Sequence, residues 1–301
     1  MRNAFINALL NEARNDPSII LLVGDLGFGV VEDFAKELPK QFVNFGINEQ
    51  SMVSAAAGLA REGFKPYVYS IGNFPTIRAL EQIRNDICYM NLEVTIVAIG
   101  AGLAYGTAGY SHHLVEDISA MSQLPNIKIF SPADPENTKT TFKSMLHYHG
   151  PKYIRLGKGS DPAILSDFKQ TDENVFIQDG SEEILILSTG QILNEVLIAK
   201  SRLGIAGHNP RLIHLSEVSE SNILGLSSIL NGKQILTVEE HILRGGFGSM
   251  VLETLHLLGD YKISRIGIKE INPHFSGSQQ HLRNLYQIDS NAITEKYISL
   301  L

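Results

Sequence analysis

Short runs that are apolar from end to end recur along the chain, each followed by a loop or a stretch with helical spacing. Runs at 19–23 (IILLV), 42–45, 65–70, 93–99, 127–130 and 152–156 read as strands. Helical spacing follows over about 49–61, 75–89, 115–123 and 135–148. Strands without a polar face must be covered on both sides, so this pattern predicts a parallel sheet between helical layers. The rhythm lapses over 161–181, which is short of periodic apolar residues and reads as a linker. It then restarts, with strands at 183–187, 209–215, 234–238 and 264–268 and helices at about 192–203, 220–230 and 248–258. The expected fold class is therefore α/β with two parallel-sheet domains, a doubly wound one over 1–160 and a smaller one over 182–301.

Bulk properties exclude several functions. A chain of 301 residues with net charge −7 and no basic run is a poor nucleic-acid binder. The longest apolar run is too short to span a bilayer and is broken by Gly100 and Gly102, so no membrane role is expected. The amphipathic start lacks a signal-peptide core, and the single cysteine, Cys88, permits no internal disulfide. Both fit a cytoplasmic setting.

In open α/β sheets ligands collect at the carboxyl ends of strands. Here those ends carry Gly24-Asp25, Gly46-Ile47-Asn48-Glu49, the segment before Phe74, the loop from Gly100 to His113, and Arg155. Asn48 is a good N-cap, which puts Glu49 in a first helical turn. A carboxylate there is explained by the helix dipole alone. Yet Ala55-Ala56-Ala57-Gly58 lets this helix approach its neighbour closely, which implies a buried start, and a buried carboxylate needs a partner. The GxGxxxG at 100–106 is followed by another glycine rather than a clean helix, so its glycines free a loop instead of binding a dinucleotide. His112 and His113 are either solvated loop residues or proton carriers and donors to a substrate oxygen. No cysteine or paired histidine completes a metal site around them. Phe74 is either core or a stacking surface. Arg155 is either an ion-pair partner or an anion clamp.

With these residues assembled, nearly the whole chain resembles the carboxyl-terminal half of transketolase, as found in split two-subunit transketolases. The matching segments occur in order: GDLG (24–27), FGINEQ (45–50), AAAGLAREGFKPYV (55–68), FPTIRALEQIRND (74–86), SHHLVEDIS (111–119), LPNIKIFSPAD (124–134) and VEEHILRGGFGS (238–249). The resemblance implies a thiamine-diphosphate pyrimidine-binding domain followed by a transketolase C-terminal domain. It implies that Glu49 hydrogen-bonds N1′ of the cofactor's aminopyrimidine and favours the imino tautomer that takes the thiazolium proton. Phe74 then stacks on the pyrimidine, and Asp25 and Ile47 belong to the cofactor-binding set. His112, also given a catalytic role, joins His113, Arg78 and Arg155 in facing the sugar, with Arg155 matching the arginine that holds a sugar phosphate.

The family's Gly-Asp-Gly with a downstream asparagine, which binds Mg2+ and the diphosphate, is missing. A partner resembling the amino-terminal half of transketolase is therefore expected to supply it, in a heterotetramer of two copies of each chain in which this chain also pairs with its own copy. The substrate loop departs from the family. Gly100 stands for a histidine, Gly106-Thr-Ala-Gly109 for Gly-Glu-Asp-Gly, His113 for glutamine and Ile71 for an aromatic. Losing groups that bond sugar hydroxyls points to altered substrate choice. The expected activity is transfer of a two-carbon ketol unit from a ketose, or its phosphate, to an aldehyde. The alternatives are a decarboxylating carboligase like the beta chain of 2-oxo acid dehydrogenases or deoxyxylulose-phosphate synthase, and a non-catalytic scaffold. Glu239, Glu240 and His241 are assigned to packing or dimer contacts, with His241 the one that could reach a substrate.

Overall fold

The structure is a computed structural model that describes residues 1–159, 162–180 and 183–301. The expected breaks at 160/161 and 181/182 fall outside these residues. Thirteen strands are present among the described residues. In chain order they are β1 (Ile19–Val23), β2 (Phe42–Asn44), β3 (Lys65–Ile71), β4 (Thr95–Ile99), β5 (Lys128–Phe130), β6 (Lys152–Leu156), β7 (Lys169–Asp172), β8 (Val175–Gln178), β9 (Ile184–Ser188), β10 (Arg211–Leu215), β11 (Glu217–Val218), β12 (Gln234–Ile242) and β13 (Lys262–Ile268).

The first sheet has the order β11-β5-β6-β4-β3-β1-β2 and is parallel except for β11. β1, β4 and β6 are buried at every position, as strands covered on both faces must be. The helix Glu49–Arg61 buries Glu49, Met52, Val53, Ala56 and Ala57, one face at i, i+3, i+4, i+7 and i+8. Its alanines let it lie close against β3. The segment expected as one helix over 75–89 divides into a 3-10 turn at Ile77–Ala79, a short α turn at Leu80–Gln82 and a π-helical stretch at Ile83–Cys88. Ala79, Ile83 and Ile87 are fully buried and recur every four residues, longer than the 3.6-residue α turn. A widened turn keeps them on the core side.

The second sheet has the order β13-β12-β9-β10-β8-β7, parallel from β13 to β10 and antiparallel at β8 and β7. The stretch read as linker thus contributes a hairpin. Val175, Phe176 and Ile177 form a short apolar run, and burial of that run recruits them to the sheet. The domains interlock. β11 follows β10 directly but pairs with β5 of the first sheet, Glu217 against Phe130 and Val218 against Ile129. None of the helices among the described residues is long and apolar enough to cross a membrane.

His214, on β10, is fully buried beside Phe176, and neither ring nitrogen has a hydrogen-bond partner among the described residues. Burial holds its pKa down to about 3. His241 is likewise held down to about 4, chiefly by burial, with Asp117 pulling the other way and Arg155 adding to the depression. In the unfolded chain both would take up a proton near pH 6.5, well before the folded protein does. Their contribution to stability is therefore complete above pH 6.5 and lost as pH falls toward 4 and 3. The denaturant midpoint is expected to drop across this window. His214→Leu, which keeps the volume and removes the titrating ring, is expected to flatten part of that drop. A pH series of unfolding curves on the two proteins checks it.

Candidate active site

Glu49 lies at the start of its helix, 1% exposed, below the carboxyl ends of β1 and β3. Asn48 occupies the N-cap position, but its side chain makes no capping bond, so the helix start is held by packing instead. Glu49 Oε1 accepts from Ser70 Oγ at 3.0 Å, and Oε2 accepts from Arg78 Nη1 at 2.7 Å. Gly24 closes the floor. A Cβ there would lie 3.1 Å from both Glu49 Oε1 and Ser70 Oγ.

The Arg78 guanidinium lies 4.3 Å from the centroid of the Phe74 ring. It is thus a flat cation stacked on an aromatic face with an N–H directed into a buried carboxylate. An aminopyrimidine would make the same two contacts, one face on the ring and one nitrogen at the acid. The residues present therefore fit the pyrimidine end of thiamine diphosphate. Arg78, whose side chain is 43% exposed, is free to give way to it.

His112 also meets Phe74, ring centroids 5.3 Å apart and steeply tilted at 71°. Its Nδ1 is 3.0 Å from Ser111 Oγ. Tyr105 lies 6.3 Å from the His112 ring, and Lys158 Nζ sits 4.7 Å over the Tyr105 ring. Glu49, Arg78, Phe74, His112, Tyr105 and Lys158 are thus linked by successive side-chain contacts. Asp25 is exposed at the end of β1 with φ 54°, held by a reciprocal pair of hydrogen bonds with Asn44. Ile47 is 77% exposed and Phe28 81% exposed, on the loops that follow β2 and β1.

Two expected substrate residues are placed elsewhere. Arg155 is buried, pairs with Asp117 at 2.8 Å and donates to the carbonyl oxygens of Leu114 and Glu240. Buried and turned toward Asp117 and these carbonyls, it is not placed as the expected sugar-phosphate clamp. His113 is fully buried and turned toward the Gly106 carbonyl oxygen at 3.5 Å, with burial lowering its pKa, so it does not face a substrate. His241 is also fully buried. Its Nε2 accepts from the backbone N–H of Ile118 and its Nδ1 bonds the Ile242 carbonyl oxygen, which removes it from any substrate. Its neighbour Glu239 caps the helix Phe247–His256 through the N–H groups of Phe247 and Gly248. Burial nonetheless pushes its pKa up to about 8.

Lys158 went unrecognised in the sequence, although it stands only three residues beyond Arg155. The signal was the strand end itself. Residues inside a fully buried strand point into the layers, and those just past its carboxyl end reach the crevice. Gly100 also gains an explanation. With φ 95°, it lies where any Cβ would overlap the Tyr105 ring, so a side chain there would displace Tyr105. Among the described residues no three His, Cys, Asp or Glu side chains are grouped to hold a metal ion.

Comparison with known proteins agrees with this architecture. Residues 1–162 match the transketolase pyrimidine binding domain, and residues 173–293 match the transketolase C-terminal domain. An apulose-4-phosphate transketolase subunit from Phocaeicola vulgatus is 33% identical over 262 residues, covering 84% of this chain and 83% of that one. A 1-deoxy-D-xylulose-5-phosphate synthase of Halothermothrix orenii is 33% identical over 277 residues, covering 89% of this chain but 43% of its own. A solved structure described as a split gene transketolase, inactive beta4 tetramer, superposes with a TM-score of 0.84 at 30% identity. It covers 98% of this chain and 95% of that one. The chain belongs to the transketolase family. Within it, the chain is a carboxyl-terminal subunit of the split, transketolase-like kind, and so part of a transferase.

Proposed function

We propose that this chain carries the aminopyrimidine half of a thiamine diphosphate site. With a diphosphate- and Mg2+-binding partner, it transfers a two-carbon ketol unit from a ketose or ketose phosphate to an aldehyde. The supporting observation is the buried Glu49 carboxylate, set beside Phe74 with a stacked planar N–H donor already in the slot. When bound, thiamine diphosphate supplies the nucleophilic carbon and electron sink that protein side chains lack. Glu49 would share a proton at the pyrimidine N1′ position, with Ser70 fixing the other carboxylate oxygen. Phe74 would present a flat face, while Ile47 and Asp25 border the slot. His112, against the edge of Phe74, would exchange a proton with a substrate oxygen. Lys158, over the Tyr105 ring, would meet a phosphate. The split-gene relative described as an inactive beta4 tetramer favours a requirement for the partner. The absence of side-chain space at Gly100 favours a sugar choice unlike that of transketolases that carry histidine there.

The test is reconstitution with the partner chain, thiamine diphosphate and Mg2+, followed by mass spectrometry of aldehydes offered with ketose donors. Products longer by two carbons are expected. Release of carbon dioxide from a 2-oxo acid, without ketose turnover, would favour the decarboxylating reading suggested by the synthase relative. In the same assay Lys158→Ala is expected to raise KM for a phosphorylated donor about tenfold, the loss of one charge-assisted contact. Cofactor affinity is expected to stay unchanged.

A further inference from the structure

The loop that carries His112 is closed at its neck. Gly102 and Leu114 exchange both backbone hydrogen bonds, at 2.9 and 2.8 Å. The second domain then grips this neck. Leu103 N donates to Glu240 Oε1 at 2.8 Å, Gly277 N donates to the Gly106 carbonyl oxygen at 3.1 Å, and Ile242 N donates to the Val115 carbonyl oxygen at 2.9 Å.

Glu240 is 5% exposed, and its other contacts hold it still. Arg283 donates twice to Oε2, from Nε at 3.0 Å and Nη2 at 2.6 Å, and Gln279 donates to Oε1 at 2.9 Å. Arg283 reaches on to Glu195 at 3.4 Å. The carboxylate is thus charge-balanced by Arg283 and oriented before it meets Leu103. Gly102 has φ 65°, and a Cβ there would collide with the Glu240 side chain, so loop and carboxylate are shaped to one another. A charged acceptor on a backbone N–H makes a stronger bond than a neutral one, which suits a fixed anchor.

We propose that Glu240 is a positioning residue, through which the second domain fixes the 100–114 loop and hence the place of His112 beside Phe74. Its effect on catalysis rests on the function proposed above, whereas its effect on the loop does not.

The test uses the chain assembled with its partner and thiamine diphosphate, comparing wild type with Glu240→Gln and Glu240→Asp. The shorter Asp keeps the charge beside Arg283 but withdraws from Leu103, and it decides the matter if the Gln variant does not fold. Hydrogen-exchange mass spectrometry is expected to show exchange about tenfold faster over 101–113 and unchanged over 49–61. Turnover is expected to fall about tenfold with no change in cofactor affinity. Unchanged exchange over 101–113 would overturn the proposal. So would equal acceleration in both segments, or a loosened loop with undiminished turnover. A wild-type assembly without thiamine-dependent turnover would instead defeat the proposed function, and the exchange data would still decide whether Glu240 holds the loop.

Discussion

Glu49→Gln is expected to lower turnover of the assembled enzyme by about 10²- to 10⁴-fold, the range for removing a positioned proton-transfer group. The substitution keeps the size of the side chain. An amide oxygen still accepts from Ser70, and the Arg78 guanidinium that loses its anion is well exposed and regains water, so little stability is at stake. The effect should therefore appear in kcat rather than in folding. Steady-state kinetics, alongside thermal unfolding of the same samples, separates the two. Turnover within threefold of wild type would end the assignment of Glu49 as the proton-sharing acid.

Arg155→Met is expected to act the opposite way, costing about 3–5 kcal/mol of stability, because removing one member of a buried ion pair strands the other. Asp117, fully buried, would keep the Tyr153 hydroxyl as a donor but lose its cation at 2.8 Å. The carbonyls of Leu114 and Glu240 would lose a donor as well. Denaturant unfolding of the purified chain measures this. A normal midpoint with a raised KM for phosphorylated sugars would restore Arg155 to the substrate and remove Lys158 from it.

Much of the first domain was legible because its strands are apolar throughout and its helices keep period. IILLV at β1 and the helix beginning at Glu49 fell where pattern placed them. The hairpin at 169–178 escaped because only Val175 to Ile177 mark it and charges surround them. β11 escaped because two residues carry no period at all, and its pairing with β5 is a tertiary event. At the site, Glu49 and Phe74 were legible from their places at strand ends. Their juxtaposition through Arg78 was not, since it depends on a 3-10 turn that a continuous-helix reading smooths away. The burial of Arg155 was hidden for a similar reason. Residue type suggested the arginine, but only depth within the strand decides which cation meets solvent.

The antiparallel pairing of Glu217 and Val218 with β5 limits how this chain can be divided. Excising residues 1–160 as a free fragment would strip the cover from Lys128–Phe130 and leave its unpaired amides open to other chains, a recognised route to aggregation. Gene fusions or shuffled chimeras that respect the apparent boundary would inherit that fault unless they carried the short segment from the far side along with it.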